Sequence, residues 1–144
     1  MRRVLAIGVF DLLHVGHLRY LQYAKAQGAS LTVAVTPDEI CYQTKGKNPT
    51  IVQEQRKELV SALACVDDTK WLPGTTENTQ EAAEWIKSWG VDVVVVGGGW
   101  EGSKRWQRLR PLLEGVGIEV SFAPATENIS TTDITQRIQE LNGK

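Results

Sequence analysis

The sequence predicts an α/β fold, a Rossmann-like five-stranded parallel sheet with helices on both faces, because five apolar runs alternate with five helical patterns along the chain. A second observation is the run Val93, Val94, Val95, Val96, which is wholly β-branched, as a central strand buried on both sides requires. A third is that the polar and glycine-rich segments follow the strands, where ligands sit in such sheets, outside the carboxyl ends at a topological switch point.

In order, a strand over residues 4–9 leads into a helix over 17–26, and a strand over 31–35 into a helix over 52–64. The third, fourth and fifth units pair 68–72 with 79–89, 91–96 with 104–113, and 118–123 with 132–141. Short apolar runs closed by turn residues read as strands, whereas the longer amphipathic stretches read as helices. Pro49 and Thr50 suit the start of the second helix, and Ser130, Thr131 and Thr132 suit a cap on the last. No internal repeat or low-complexity stretch interrupts the pattern, so residues 1–144 are expected to form one domain, large enough to bury a core.

Composition narrows the function classes. A net charge of −1 argues against a general nucleic-acid surface. No apolar run approaches the ~18 residues needed to span a bilayer, and Met1, Arg2 and Arg3 lead into a run too short for a signal sequence. The expectation is a cytoplasmic protein without a membrane partner. Two cysteines, Cys41 and Cys65, with no framework spacing fit a reducing compartment.

The most informative segment reads Gly8, Val9, Phe10, Asp11, Leu12, Leu13, His14, Val15, Gly16, His17 between the first strand and the first helix. A helix start carries unpartnered N–H groups and the positive end of the macrodipole, so it favours an anion. His14 and His17 share a helix face and place imidazole N–H donors toward the same polyphosphate, with Gly16 expected to keep side-chain bulk away from the ligand. The His-x-x-His spacing also suits a metal, but the chain has only these two histidines and no Cys-x-x-Cys, so no metal ligand set is assigned.

The residues at 36–49 follow the second strand, and 42–50 lack apolar periodicity while carrying Lys45 and Lys47 around Gly46. This stretch is expected to be a mobile flap that brings both lysines over phosphates. Gly97, Gly98, Gly99 and Trp100 follow the fourth strand; glycines admit a ligand close to the backbone, and the indole offers a face for a base. Lys104, Arg105, Arg108 and Arg110 read as a solvated helix face, whose first residues could also contact pyrophosphate.

Taken together, the His-x-Gly-His segment and the Ile129, Ser130, Thr131, Thr132 signature near the C-terminus resemble the HxGH-motif nucleotidyltransferase superfamily over residues 3–141. The chain is similar to its small cytidylyltransferases, above all those acting on glycerol 3-phosphate, and also to domains that adenylylate heptose 1-phosphate. The resemblance implies nucleotide contacts from Val9, Phe10, His14, Gly16, His17, Lys47, Gly97, Trp100, Ala125, Ile129, Ser130, Thr131 and Thr132. It implies catalytic roles for His14, His17, Lys45 and Lys47, and acceptor contacts from Asp11, Asp38, Lys45 and Arg56, although Asp11, Asp38 and Arg56 also suit structural ion pairs. It further implies a homodimer.

Two departures bear on the base. Gly98 and Gly99 stand where the glycerol phosphate enzymes carry an acidic pair, and Ala125, Thr126, Glu127, Asn128 replace an Arg-Thr-Glu-Gly stretch. The expected reaction is attack by a phosphate oxygen of the acceptor on the α-phosphorus of CTP, with pyrophosphate leaving. A phosphate monoester with a second pKa of about 6 is already an anionic nucleophile, so charge neutralisation and positioning suffice. Mg²⁺ is expected to accompany the triphosphate. Adenylyl transfer to a sugar phosphate is the alternative, and a non-catalytic nucleotide sensor is the contrasting class.

Overall fold

The computed structural model describes residues 1–143. Its elements are β1 (Arg3–Gly8), α1 (Val15–Ala26), β2 (Ser30–Val35), α2 (Asp38–Lys45), α3 (Gln53–Ser61), β3 (Asp68–Trp71), α4 (Thr79–Ser88), β4 (Val93–Val96), α5 (Lys104–Glu114), β5 (Glu119–Phe122) and α6 (Thr131–Asn142). The five strands are parallel, in the order β3-β2-β1-β4-β5, the predicted α/β sheet. The chain winds outward from β1 through β2 to β3, then returns to the other side of β1 for β4 and β5. The crevice at the carboxyl ends of β1 and β4 is therefore the switch point.

Strand alternation sorts the core into two layers. Leu5, Ala34, Val94, Val96 and Val120 face α4 and α5, where Ile86, Trp106, Leu109 and Leu113 close the layer. Val4, Ala6, Leu31, Val33, Val35, Val93 and Val95 face α1 and α3 through Leu21, Ala24 and Val60. Each fully buried branched side chain contributes about 1.5–3 kcal/mol relative to exposure. That stabilisation makes the sheet a rigid base for the loops at its carboxyl edge.

The stretch at 42–50, read from its missing periodicity as a flap, is helical over its first part. Residues 38–45 are helical, so the irregular part begins only at Gly46. The helix starts after Pro37 at φ −64°, carries Asp38 and Glu39 in its first turn, and ends on Gly46 at φ 74°, whose N–H returns to the Tyr42 carbonyl. Acidic residues at its start and a left-handed glycine at its end are helix signals that outweigh missing periodicity. Only Cys41 of its eight residues is buried, so no apolar stripe could reveal it.

Candidate active site

A cleft of about 1020 Å³ opens at the switch point between β1 and β4. Its walls come from the turn after β1, from α2 and the loop behind it, from the loops after β3 and β4, and from α6.

The start of α1 is built by its two histidines. His14 is the residue before the first turn; its Nδ1 accepts from Gly16 N at 3.0 Å, and His17 Nδ1 accepts from His14 N at 3.2 Å. With Nδ1 of each ring accepting, the proton of each neutral imidazole sits on Nε2, which is left to donate outward. The rings stack at 3.8 Å between centroids. Burial lowers the pKa of His14; burial, reinforced by His14 and opposed by Asp11, lowers that of His17 to about 4. Near neutral pH both are thus uncharged donors. His17 lines the cleft, while His14 lies outside its wall.

A Cβ on Gly16 would stand 2.8 Å from Cε1 of His14, so the glycine makes room for the capping imidazole. Ile129, whose Cγ2 lies 3.4 Å from the same point, packs over this turn.

Phe10 and Leu12 hold left-handed backbone at φ 57° and 51°, costly for residues with bulky side chains. The Phe10 ring is buried, covers Gly8 and meets His17 edge-on at 5.5 Å. It reaches the ligand region through the imidazole it supports. Val9 lines the cleft, and its carbonyl accepts from Arg56 Nη1 at 2.6 Å.

Asp11, Asp38 and Arg56, expected at the acceptor or in structural ion pairs, all make structural ties. Arg56 is fully buried; it also donates to the Thr36 and Ile51 carbonyls, at 2.9 Å each, and to Asp38 Oδ1 at 2.6 Å. A guanidinium so enclosed is stabilised only by such partners. Neither Arg56 nor Asp38 lines the cleft. Asp11 does, but its carboxylate accepts from Thr50 N at 2.7 Å and Ile51 N at 2.9 Å, tying the loop after α2 to the turn after β1. Charge bookkeeping along the sequence could not separate these ties from ligand contacts, because the partners are backbone groups.

Lys45 and Lys47 flank Gly46, line the cleft and are exposed. Neither forms an ion pair among the described residues. They are the unneutralised cations of the cleft.

After β4, Gly97 leads into a 3-10 turn, Gly98–Trp100. Gly97 and Trp100 line the cleft. A Cβ on Gly98 would lie 2.3 Å from the Ala123 carbonyl oxygen and 2.9 Å from Ala125 N. The loop after β5 therefore occupies the space an acidic side chain at 98 would need. Ala125 is exposed and outside the cleft wall, and Asn128 takes the left-handed backbone, at φ 60°, that the related stretch assigns to glycine.

Ser130 caps α6 by accepting from Asp133 N at 3.0 Å, and Thr131 Oγ1 donates to the Asp11 carbonyl at 2.8 Å. Thr131 and Thr132 line the cleft. The geometry brings His17 of α1 and the start of α6 to the same cleft as the lysines, and a helix start favours an anion.

Tyr20, Gln136 and Gln139 stand in the wall without an assignment from the sequence, and Arg105 stands there too. The Tyr20 hydroxyl donates to the Val95 carbonyl at 2.6 Å and accepts from Ile7 N at 3.2 Å. It fills the point where β1 and β4, paired as far as Ala6 and Val95, part. Its position one turn beyond His17 on the same face was the available signal. Arg105 stacks on Trp100 at 4.5 Å and donates to Thr76 and Glu77, so it is no solvated side chain.

Residues 5–137 match the family described as cytidylyltransferase-like. The chain belongs to that family. This cytidylyltransferase-like chain is 35% identical over 141 residues to the glycerol-3-phosphate cytidylyltransferase of Bacillus subtilis (strain 168), covering 98% of this chain and 100% of that protein. It is 38% identical to the FAD synthase of Thermococcus onnurineus (strain NA1), covering 96% and 91% of the two chains. The bifunctional protein HldE of Hydrogenovibrio crunogenus (strain DSM 25203 / XCL-2) is also 38% identical; the match covers 95% of this chain but 27% of that protein. Among solved structures, the lipopolysaccharide core biosynthesis protein from Thermoplasma volcanium GSS1 superposes with a TM-score of 0.67 at 29% identity, covering 90% of this chain and 99% of the other. The cytidylyltransferase-like chain is an enzyme, a nucleotidyltransferase.

Proposed function

We propose that this nucleotidyltransferase moves CMP from CTP to a small phosphorylated alcohol of the glycerol 3-phosphate kind, or to a phosphonate, and releases pyrophosphate. The observation that carries the proposal is the meeting of the α6 start and the Nε2 donor of His17 on a cleft whose unpaired cations are Lys45 and Lys47. Similarity over the full length of a glycerol-3-phosphate cytidylyltransferase supports the choice of nucleotide and acceptor.

In this reading the phosphate oxygen of the acceptor attacks the α-phosphorus in line, that P–O bond forms, and the bond to the β-phosphate oxygen breaks. Imidazole N–H groups and the α1 and α6 backbone hold the phosphate oxygens as charge shifts onto the leaving pyrophosphate. Lys45 and Lys47 hold the acceptor phosphate and the leaving group. No general base is needed.

Mg²⁺ would travel with the triphosphate and screen its charge. The cleft's own carboxylates do not fit a metal site: Asp11 is held by two N–H groups and Glu77 by Arg105, and no cluster of three ligating side chains occurs among the described residues. Its ligands would be phosphate oxygens and water, and no step depends on a protein-bound ion. A homodimer and a cytoplasmic setting, where nucleoside triphosphates are held, complete the proposal. In the described residues no helix is long and apolar enough to cross a membrane.

A second reading, adenylyl transfer to a sugar phosphate such as heptose 1-phosphate, is favoured by Ala125 in place of arginine. Pyrophosphate release from CTP and ATP against glycerol 3-phosphate, heptose 1-phosphate, phosphocholine, phosphoethanolamine and small phosphonates separates the two. CTP with a glycerol 3-phosphate-like acceptor is the pair expected to react fastest.

A further inference from the structure

We infer that the cleft-facing stripe of α6 is the acceptor's specificity subsite, and that it takes a hydroxylated, uncharged group carried on the acceptor phosphate. The inference rests on the nucleotidyl-transfer reading above and adds residues that no motif marks. Thr132, Thr135, Gln136 and Gln139 recur at the spacing of one helix face, and all four line the cleft. The apolar positions Ile134, Ile138 and Leu141 fall on another face, and Ile138 and Leu141 stay 48% and 59% exposed.

A helix oriented by burial alone would turn its apolar stripe inward. Here none of its residues is buried, and the orientation is set at one end, by the Ser130 cap and the Thr131 hydroxyl on the Asp11 carbonyl. The polar stripe is consequently presented to the ligand.

From Thr132 to Gln139 the stripe runs roughly 10 Å along the axis, at ~1.5 Å per residue, away from the phosphate-favouring start. That is the reach of a short polyol or a sugar ring. Among the described residues the side-chain amides of Gln136 and Gln139 bond no other group, so each keeps two donors and an acceptor for hydroxyls.

The rest of the cleft rejects a cationic headgroup. Asp11 and Glu77 are the carboxylates in its wall, the first with each oxygen already accepting a backbone N–H and the second paired with Arg105 at 2.8 Å. An ammonium group would otherwise need an aromatic face. Trp100 already holds the Arg105 guanidinium at 4.5 Å, and Phe10 and Trp106 are buried. With Lys45 and Lys47 exposed in the same cleft, an added positive charge is further disfavoured.

The test is steady-state pyrophosphate release by the full chain and by Gln136→Leu, Gln139→Leu and the double variant, with CTP and ATP, using glycerol 3-phosphate, a sugar 1-phosphate, phosphocholine and phosphoethanolamine. The wild type is expected to favour a hydroxylated acceptor over phosphocholine by roughly 100-fold or more in kcat/KM, in line with sites built to hydrogen-bond a hydroxyl. The double variant is expected to raise the acceptor KM about tenfold with the nucleotide KM unchanged, the effect of losing one or two such bonds. Gln136→Glu, a second variant, is expected to improve phosphoethanolamine relative to glycerol 3-phosphate. Equal use of phosphocholine by the wild type, or a rise in nucleotide KM in place of acceptor KM, overturns the inference and leaves nucleotidyl transfer standing. Absence of pyrophosphate from every pair overturns the parent reading and this one together.

Discussion

The Thr131 hydroxyl donates to the Asp11 carbonyl at 2.8 Å, joining two segments 120 residues apart in sequence. It fastens the start of α6 to the turn that precedes α1, and Asp11 in turn holds the backbone of Thr50 and Ile51. Three walls of the cleft therefore meet at one residue. Thr131→Val keeps the side-chain shape and removes the donor. A typical hydrogen bond of this kind contributes a net of about 1 kcal/mol. The expected outcome is a loss of that order in urea unfolding and a larger, roughly tenfold fall in kcat, because the two helix starts lose their register. Turnover at the wild-type rate would show that the tie is dispensable.

His17→Ala and His14→Ala are expected to lower kcat by ~10²- to 10³-fold, the usual consequence of losing one preorganised donor to developing charge. Nucleotide affinity should fall much less. The two variants should differ in stability, because His14 is the cap of α1 and His17 accepts from the His14 backbone. Chemical denaturation beside pre-steady-state pyrophosphate release separates the two contributions.

The pH dependence follows from the lowered imidazole pKa values. His17 binds a proton in the folded protein only near pH 4, whereas an unfolded histidine does so near 6.5. Between those values the unfolded state binds more protons, so this group makes stability rise with pH from about 4 to 6.5 and level off above. A bound polyphosphate favours the charged ring and reverses part of the shift. Proton-detected titration of the two histidines should show the His17 pKa rising when CTP is added; an unchanged value would place the phosphates away from this ring.

Arg56→Ala leaves half-buried Asp38 and three carbonyls without their donor, and with one partner of the pair partly in water the cost falls toward the low end of the about 3–5 kcal/mol for breaking a buried pair. The expected result is a large drop in the urea midpoint, with Arg56→Lys recovering little because a single ammonium cannot span the same partners. A folded, stable variant with only a raised acceptor KM would restore Arg56 to the acceptor site.

Gly98→Ala and Ala125→Arg probe the base end. The first places a methyl 2.3 Å from the Ala123 carbonyl oxygen, so the loop after β5 must move at a cost of roughly 1–3 kcal/mol. The second stands at an exposed position and should be tolerated, without reversing a preference set by backbone groups near Gly97. Kinetic comparison of CTP and ATP is the check; a higher kcat/KM for ATP in the wild type overturns the cytidylyl reading.

The parallel sheet, its alternating helices and the phosphate-favouring edge were legible in the sequence, because continuous apolar runs and helix-start residues act over a few neighbours. The His14 to His17 segment and Ser130 to Thr132 carry their chemistry locally, and the sequence determined them. It could not resolve α2, whose eight residues bury only Cys41, nor the partners of Asp11, Asp38 and Arg56, which are backbone groups and one carboxylate brought near by the winding of β1, β2 and α3. Only tertiary structure decided that Gly98 yields to the loop after β5 and that α6 turns its polar stripe to the cleft. Each of these depends on atoms distant along the chain or on an anchor at one end of a helix. Local propensity contains neither.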